Sequence, residues 1–260
     1  MVYTVQDCCE IMERLAALDL ALDWDNVGLQ LGSLERDVQT ILVTLTVTED
    51  VAEKAVSKGV DLVISHHPLI FRPLHSIRTD QPQGRIIESL LKNDTALYVS
   101  HTNLDQASLG LNHWLAEDLG LEDVAILVPA ETTGTGLGRV GFISPQSIRS
   151  IAELIEERWN YSVRIVGNPT QEVKKVAVCG GSGGNLVRDA YASGAEVLIT
   201  GDVSYHDALD ALELGVNVID AGHFGTEQIM VGKVGRYLQD ELGDGVTIIQ
   251  HLGRDPFCSS

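Results

Sequence analysis

The feature that most constrains the fold is a regular alternation of short apolar runs with amphipathic segments of helical length. The apolar runs predicted as strands are residues 41–47, 60–65 and 96–100. The predicted helices are residues 6–18, 49–58, 85–92 and 145–159. Strands that alternate with helices are typical of βαβ units, in which neighbouring strands run parallel. The sequence therefore predicts an α/β fold with mainly parallel sheets.

The strand–helix–strand pattern occurs twice along the chain. Residues 41–67 align without a gap to residues 176–202, and each copy continues to a further strand, at 97–100 and 216–220. The identical pairs are Val43 and Val178, Ala55 and Ala190, Gly59 and Gly194, and Ile64 and Ile199. An internal repeat of this kind predicts a duplicated architecture.

The repeat predicts two related α/β halves, residues 1–128 and 129–260. We expect the junction in the Gly/Thr-rich stretch 130–138, and we expect the C-terminal segment to pack back on the first half.

The charge of the chain excludes several classes of partner. Lys and Arg number 18 against 37 Asp and Glu, which gives a formal net charge of −19 at pH 7. A chain this acidic is repelled by nucleic-acid phosphates and by anionic lipid surfaces. No stretch approaches the roughly 20 apolar residues of a membrane span, and the acidic start does not resemble a secretory leader. Four cysteines without a Cys-x-x-Cys pair fit a reducing compartment, so we expect a cytoplasmic protein.

Histidines and acids stand where the predicted strands end. The six candidate ligands are His66, His67, His101, Asp105, His223 and Glu227. In open parallel sheets ligands bind beyond the carboxyl ends of the strands, which predicts that these side chains converge. Imidazole with carboxylate suits two divalent ions of Zn, Mn, Fe, Co or Ni, and we expect Glu227 to bridge them. The alternative is that these histidines lie at the edge of the core and bond to the backbone without metal.

Longer motifs around these residues resemble the Nif-three-like family, whose members are often labelled GTP cyclohydrolase 1 type 2 homologues. The motifs that carry the resemblance are Trp-Asp-Asn-Val-Gly-Leu-Gln at residues 24–30, Ser-His-His-Pro at 65–68, Ser-His-Thr-Asn-Leu-Asp at 100–105 and Gly-His-Phe-Gly-Thr-Glu at 222–227. Segments 138–141, 177–183, 200–202 and 255–257 fit as well, so the resemblance spans nearly the whole chain.

The resemblance implies two similar α/β domains with a dinuclear metal centre in the cleft between them, and ring-shaped homohexamers. The family's metal ligands fall on His66, His67, Asp105, His223 and Glu227, with His101 lining the same centre. The implied function is that of a metal-dependent hydrolase acting through a metal-bridging hydroxide, with His101 and Asp105 as catalytic proton carriers. Under the cyclohydrolase label, the reaction opens the ring of GTP and releases formate. The alternative is a metal-binding, metal-delivery or regulatory protein without turnover.

Other polar residues are candidates for contact with a small-molecule substrate, including a nucleotide. They are Asp25, Asn26, Asp202 and His206. Turn capping is the plainer alternative for the first two, and a helix N-cap is the alternative for Asp202. The glycine-rich segment 180–184 either binds an anion or allows close approach of the backbone.

Two further features concern the charge near the expected centre. A triphosphate near so acidic a chain would need Arg72, Arg78, Arg139 or the glycine-rich segment. Many family members have Leu-Asp-Val-Thr where this chain has Leu-Thr-Val-Thr at residues 45–48, which puts an acidic supporting role at Thr46 in doubt. The usual Gly-Gly after the Asn-Leu-Asp motif is Leu109-Gly110 here, a change that touches no proposed ligand.

Overall fold

The computed structural model describes residues 2–257 and divides them into two compact units. The first unit comprises residues 2–104 and 230–254, and the second comprises residues 105–229 and 255–257. These bounds differ from a division after residue 128, because the chain enters the second unit at Asp105 and returns to the first unit near its end.

The strands and helices alternate through most of the chain. The strands are β1 Tyr3–Thr4, β2 Gly28–Leu31, β3 Asp37–Val38, β4 Thr40–Thr44, β5 Leu62–Ser65, β6 Ala96–Val99, β7 Glu122–Pro129, β8 Gly136–Ser147, β9 Arg164–Val166, β10 Glu172–Ser182, β11 Val197–Gly201, β12 Asn217–Asp220 and β13 Thr247–His251. The helices are α1 Val5–Leu15, α2 Glu49–Ser57, α3 Pro82–Lys92, α4 Thr102–Gln106, α5 Leu111–Asp118, α6 Ile148–Trp159, α7 Val187–Ser193, α8 Tyr205–Leu214, α9 His223–Glu227 and α10 Ile229–Leu242. Among residues 2–257, no helix has the length and apolar character needed to cross a membrane.

The sheet of the first unit is mainly parallel, as the alternation predicts. Its strand order is β13-β4-β5-β6-β2, and only the edge strand β2 pairs antiparallel to its neighbour. Strands β5 and β6 are buried along their whole length, which explains their unbroken apolar sequences. Helices α2 and α3 contribute buried residues to the core on this sheet, among them Val51 and Ile87. The central strands therefore have fixed directions and fixed ends.

The sheet of the second unit is mixed, so the prediction of mainly parallel sheets is wrong there. Its strand order is β7-β8-β10-β11-β12-β9, and only the pairs β10–β11 and β11–β12 are parallel. Of the stretch 130–138, expected as the junction between halves, residues 130–135 form the turn of the β7–β8 hairpin and residues 136–138 belong to β8. The Ala130 N–H donates to the Thr135 carbonyl at 2.9 Å across this turn. A Gly/Thr-rich composition fits a hairpin turn as well as it fits a linker, and pairing decides between them.

The two copies of the repeated segment occupy equivalent places in the two sheets. In the first unit Val43 and Ile64 are Cα partners in the parallel β4–β5 ladder. In the second unit the aligned residues Val178 and Ile199 are Cα partners in the parallel β10–β11 ladder. Identical positions of the sequence repeat thus pair with each other in the same register.

The two glycines at aligned positions of the repeat have the same structural role, each in its own copy. Gly59 and Gly194 follow helices α2 and α7 and have φ angles of +62° and +76°. This left-handed conformation ends the helix and is one that a side chain with a Cβ adopts at a cost. Each copy therefore uses glycine to turn the chain from the helix into the next buried strand.

We expect Gly59→Ala and Gly194→Ala each to lower the free energy of unfolding by about 1 kcal/mol, because both backbones are left-handed and neither site is crowded. Chemical denaturation followed by circular dichroism measures the change. Gly232→Ala is the matched control, since Gly232 lies within α10 with open space around it and alanine favours helix there. A loss of stability in the control equal to that of the other two variants would contradict the explanation.

Candidate metal centre

Three histidines of the first unit converge beyond the ends of two neighbouring strands. His66 and His67 directly follow β5, and His101 comes two residues after β6. One ring nitrogen from each of the three lies within 4.8 Å of the others, a spacing that can hold a metal ion. His66 is fully buried, whereas His67 and His101 are partly exposed. Strands β5 and β6 pair in parallel, which brings their carboxyl ends together as the sequence predicted.

The end of strand β5 allows two consecutive histidines to face the same site. Side chains of neighbouring residues in a strand point to opposite faces, so both can converge only where the strand stops. β5 stops at Ser65, and Pro68, which has no N–H, follows the two histidines. The Ser65 hydroxyl donates to the His67 carbonyl at 3.0 Å and fixes the bend.

Two histidines of this cluster have ring orientations fixed by acceptors. The Nδ1–H of His66 donates to the Ser100 carbonyl at 2.8 Å. The Nδ1–H of His101 donates to the Asp25 carboxylate at 2.9 Å. Because both acceptors lack a proton to donate, they select the neutral tautomer that has its proton on Nδ1 and its lone pair on Nε2. Histidines that bind metals in proteins are usually oriented in this way.

Asp25 is the most heavily used of these acceptors. Its side chain is fully buried and also accepts hydrogen bonds from the backbone N–H and the hydroxyl of Thr102, at 3.1 and 2.5 Å. Burial alone would raise the pKa of this carboxyl, but the hydrogen bonds from His101 and Thr102 outweigh burial and lower the pKa to about 2. Asp25 therefore stays ionised while it holds His101 and the start of α4.

His67 has a different kind of partner. Its Nδ1 lies 2.7 Å from the hydroxyl of Thr46, the residue at which an acidic supporting role was in doubt. A hydroxyl both donates and accepts, so it supports the ring position without fixing one tautomer. Thr46 thus provides, without charge, the contact that a carboxylate would provide at this position.

The second unit brings together a histidine and two carboxylates. Within the short helix α9, His223 and Glu227 lie one turn apart, and His223 Nε2 is 3.0 Å from Glu227 Oε2. On the other side of the ring, His223 Nδ1 is 2.7 Å from Asp202 Oδ2. The Glu227 side chain is only 3% exposed, and a carboxylate buried to this degree requires a positive partner.

The glycine-rich segment 180–184 allows the backbone to approach Glu227 closely. A Cβ atom on Gly181, whose φ is +65°, would lie 2.3 Å from Glu227 Oε1. The N–H groups of Gly180 and Gly181 already donate to the side chains of Asn112 and Thr226, both at 2.9 Å. These contacts favour close approach over anion binding as the role of the segment.

Asp105 lies in the second unit near the same acidic group. Burial is the main cause that raises the pKa of the Cys179 thiol to about 12, and the charges of Asp105 and Glu227 add to it. Both carboxylates are therefore near one buried thiol. Asn112 also donates to the Asp105 carbonyl at 3.0 Å, which fixes the backbone of α4 at this residue.

The remaining sequence-predicted residues occupy different settings. Asp202 has a left-handed backbone with φ of +52°, and the N-cap of α8 is Ser204, so the capping alternative for Asp202 is wrong. Asn26 donates its side-chain amide to the Ile70 carbonyl at 2.5 Å. His206 is exposed and its ring contacts the ring of Tyr205. A substrate role for these residues stays a prediction.

Two of the arginines named as phosphate ligands are engaged elsewhere. Arg139 is buried and donates to the backbone carbonyls of Gly136, Gly138, Ala107 and Ser108. Arg78 forms an exposed ion pair with Asp80 at 2.5 Å. Arg139 therefore has a structural role in the hairpin of the second unit.

Comparisons with known proteins agree on one family. A family model described as Duf34/NIF3 (NGG1p interacting factor 3) matches residues 3–254. A Streptococcus pneumoniae protein named GTP cyclohydrolase 1 type 2 homolog is 39% identical over 256 residues, covering 94% of this chain and 95% of that protein. A Clostridium perfringens protein of the same name is 37% identical over 257 residues, covering 97% and 98%. The crystal structure of a Bacillus cereus protein related to NIF3 has a TM-score of 0.93 at 28% identity, covering 100% and 99%.

The protonation of His223 generates a pH prediction for the metal-free protein. The hydrogen bond to Glu227 is the main cause that raises the pKa of His223 to about 9; burial opposes it, and Asp202 adds to it. Because the folded pKa exceeds the ordinary value of about 6.5, the stabilisation is complete below pH 6.5 and is lost as the pH rises through 9.

We therefore expect the stability advantage of the wild type over His223→Gln, measured in chelator, to be largest below pH 6.5 and to decline towards pH 9. Denaturation at a series of pH values measures this difference. A difference that stays constant from pH 6 to above pH 9 would contradict the assignment of the charged pair.

Proposed function

The chain belongs to the Duf34/NIF3 family, and from that premise we propose that it binds two divalent metal ions and acts as a metal-dependent hydrolase. In this proposal the imidazoles of the first unit and the acidic group of the second unit, including the carboxylate of Glu227, would hold the two ions. The proposed ligands are His66, His67, Asp105, His223 and Glu227, with His101 lining the centre.

The single observation that carries the proposal is that the same ring nitrogen, Nδ1, contacts an oxygen in each of the candidate histidines. In four histidines from three segments of the chain, Nδ1 contacts an oxygen: the Ser100 carbonyl for His66, the Thr46 hydroxyl for His67, Asp25 for His101 and Asp202 for His223. A protein that needs its histidines only for packing has no reason to satisfy the same nitrogen each time. Metal-binding histidines show this pattern because the second nitrogen must be presented to the ion.

The donor set also fits the chemistry of the proposed ions. Imidazole and carboxylate suit Zn, Mn, Fe, Co or Ni. When bound, such a pair of ions supplies Lewis-acid polarisation and a water of near-neutral pKa. The proton on His223 must leave for its Nε2 to become a ligand, which makes metal binding favour higher pH.

The chain's own residues supply proton transfer around that centre. His101 is anchored through Nδ1 to an ionised carboxylate, so its Nε2 is placed to accept or give a proton in the site. We propose His101, with Asp105, as the proton carriers of the reaction. The names of the relatives point to GTP as substrate, and for this substrate the reaction is hydrolytic ring opening with release of formate. The homohexamer and the cytoplasmic location implied by the sequence belong to the same proposal.

The first experiment measures bound metal. We expect purified protein to hold two divalent ions per chain by elemental analysis, and we expect His66→Ala and Glu227→Ala to lose them. His75→Ala is the matched control, because His75 is exposed and belongs to no metal-holding group among the described residues. Only trace metal in the wild type after cytosolic purification, and after incubation with each candidate ion, would refute the proposal.

Turnover is tested on the same metal-loaded protein with GTP and with phosphoester substrates, using Glu227→Ala as the blank. Formate release or phosphate release above the blank supports the hydrolase. Full metal content with turnover equal to the blank would instead favour a metal-binding or metal-delivery protein.

The partners of the histidine rings generate a separate prediction. Removing the hydroxyl in Thr46→Val leaves the ligands intact but frees His67 Nδ1, so we expect about tenfold weaker metal binding with the stoichiometry retained. Calorimetric titration of metal-free protein measures the affinity. Thr48→Val is the matched control, since the Thr48 hydroxyl bonds to Asp50 and to no histidine. Equal affinities of the two variants would exclude a tuning role for Thr46.

A further inference from the structure

Two large aromatic side chains of the first unit are exposed beside the histidine cluster. Trp24 is 57% exposed and Phe71 is 42% exposed, and their ring centroids lie 5.7 Å apart at an interplanar angle of 60°. The other tryptophans, Trp114 and Trp159, are 7% and 6% exposed. An exposed tryptophan next to a second exposed aromatic ring is uncommon on a soluble protein surface and marks a binding surface.

The backbones that carry these rings are held in place by a polar network. Gln30 accepts a hydrogen bond from the Ile70 N–H at 2.8 Å and donates one to the Ile70 carbonyl at 3.1 Å. Asn26 donates to the same carbonyl at 2.5 Å, and Gln30 also donates to the Asn26 carbonyl at 2.9 Å. The loop of Trp24 and the loop of Phe71 are thus tied together immediately beside the two aromatic residues. The exposure of the rings is therefore built into the fold.

The pair adjoins the residues proposed to hold metal. The Trp24 indole contacts the ring of His101 edge to face, with 6.2 Å between the centroids. Asp25, the next residue after Trp24, holds His101 through Nδ1. Two consecutive residues therefore have linked roles. Asp25 positions His101, and Trp24 presents an exposed aromatic face beside it.

We propose that Trp24 and Phe71 form a stacking platform for a planar heteroaromatic ring of the substrate, placed next to the histidine cluster. The inference rests on the proposed hydrolase function and deepens it by naming the residues that recognise the base of the proposed substrate. Aromatic faces attract planar rings through dispersion and through removal of apolar area from water. Recognition by stacking does not distinguish one purine from another, so we expect guanosine and adenosine to bind with similar affinity.

The hydrogen bonds between the two loops preorganise the platform for binding. Because the loops are already ordered, a stacked ring does not need to immobilise them, and less of the interaction is lost to ordering. Neutral nucleosides also avoid the repulsion that a triphosphate meets at a chain of charge −19. They are therefore the probes that isolate the platform from the charge of the site.

The experiment measures binding of guanosine, adenosine and ribose by calorimetry to metal-free and metal-loaded protein. We expect saturable binding of both nucleosides, no binding of ribose, and at least about tenfold weaker nucleoside binding in Trp24→Ala. Trp24→Phe keeps an aromatic face and should stay within about threefold of the wild type. Tyr191→Ala, which removes an exposed aromatic side chain of the second unit, is the control and should bind as the wild type does.

Several outcomes would overturn the platform. The first is that the wild type binds no nucleoside in either metal state. The second is that Trp24→Ala binds nucleosides with unchanged affinity. The third is that Trp24→Ala changes its oligomeric state in sedimentation, which would assign the rings to contacts between copies. Phe71→Ala gives a second test if Trp24→Ala fails to fold, and an unchanged affinity there has the same meaning. Metal content, measured on every variant, separates this result from the proposed function. Trp24→Ala with full metal and weak nucleoside binding supports both, whereas a wild type that takes up only trace metal after incubation with each candidate ion, yet binds nucleosides, refutes only the metal centre.

Discussion

Parallel pairing of the buried strands β4, β5 and β6 determines where the ligands of the first unit lie. Parallel strands end at the same edge of a sheet, so strand pairing alone brings together residues that are distant along the chain. His66 and His101 are brought within reach of each other by this pairing, and Thr46 reaches the same edge from β4. In the second unit, β10, β11 and β12 pair in parallel, and Gly181, Asp202 and His223 lie at or just beyond their ends.

The sequence predicted this core of the fold because its signals are local. Unbroken apolar runs mark buried strands, and a glycine after a helix marks a left-handed turn; both signals appear twice at a constant offset. The antiparallel strands around the second core were not predicted, because β7 and β8 are recognised only by their pairing with each other and with β10. Helix α6 begins at Ile148, with Ser147 as its N-cap, whereas the Ser-Pro pair at 144–145 had suggested an earlier start. Either serine could cap a helix, and the strand β8 continues through the first one.

In the candidate site, too, the sequence predicts local features but not the contacts between distant segments. The types of the candidate ligands follow from His and acid residues at strand ends, which the sequence displays directly. The partners of their rings do not, because Asp25 lies 76 residues from His101 and Ser100 lies 34 residues from His66. In the sequence Thr46 is visible only as a departure from a family motif, although its place just after β4 puts it at the same edge. A hydrogen bond between distant segments leaves no periodic trace in the sequence, so only the folded structure reveals it.

The position of β13 has a consequence for the synthesis of the chain. This strand, Thr247–His251, pairs with β4 and lies at the edge of the first sheet, although β4 begins at Thr40. While the chain is being translated, β4 has β5 on one side and an open row of N–H and C=O groups on the other until residues 247–251 emerge. Residues 105–229, which make up most of the second unit, are by then already available to fold as a continuous segment. A nascent chain therefore exposes the outer edge of β4 while residues 105–229 are being synthesised, and the sheet of the first unit gains its last strand only after them.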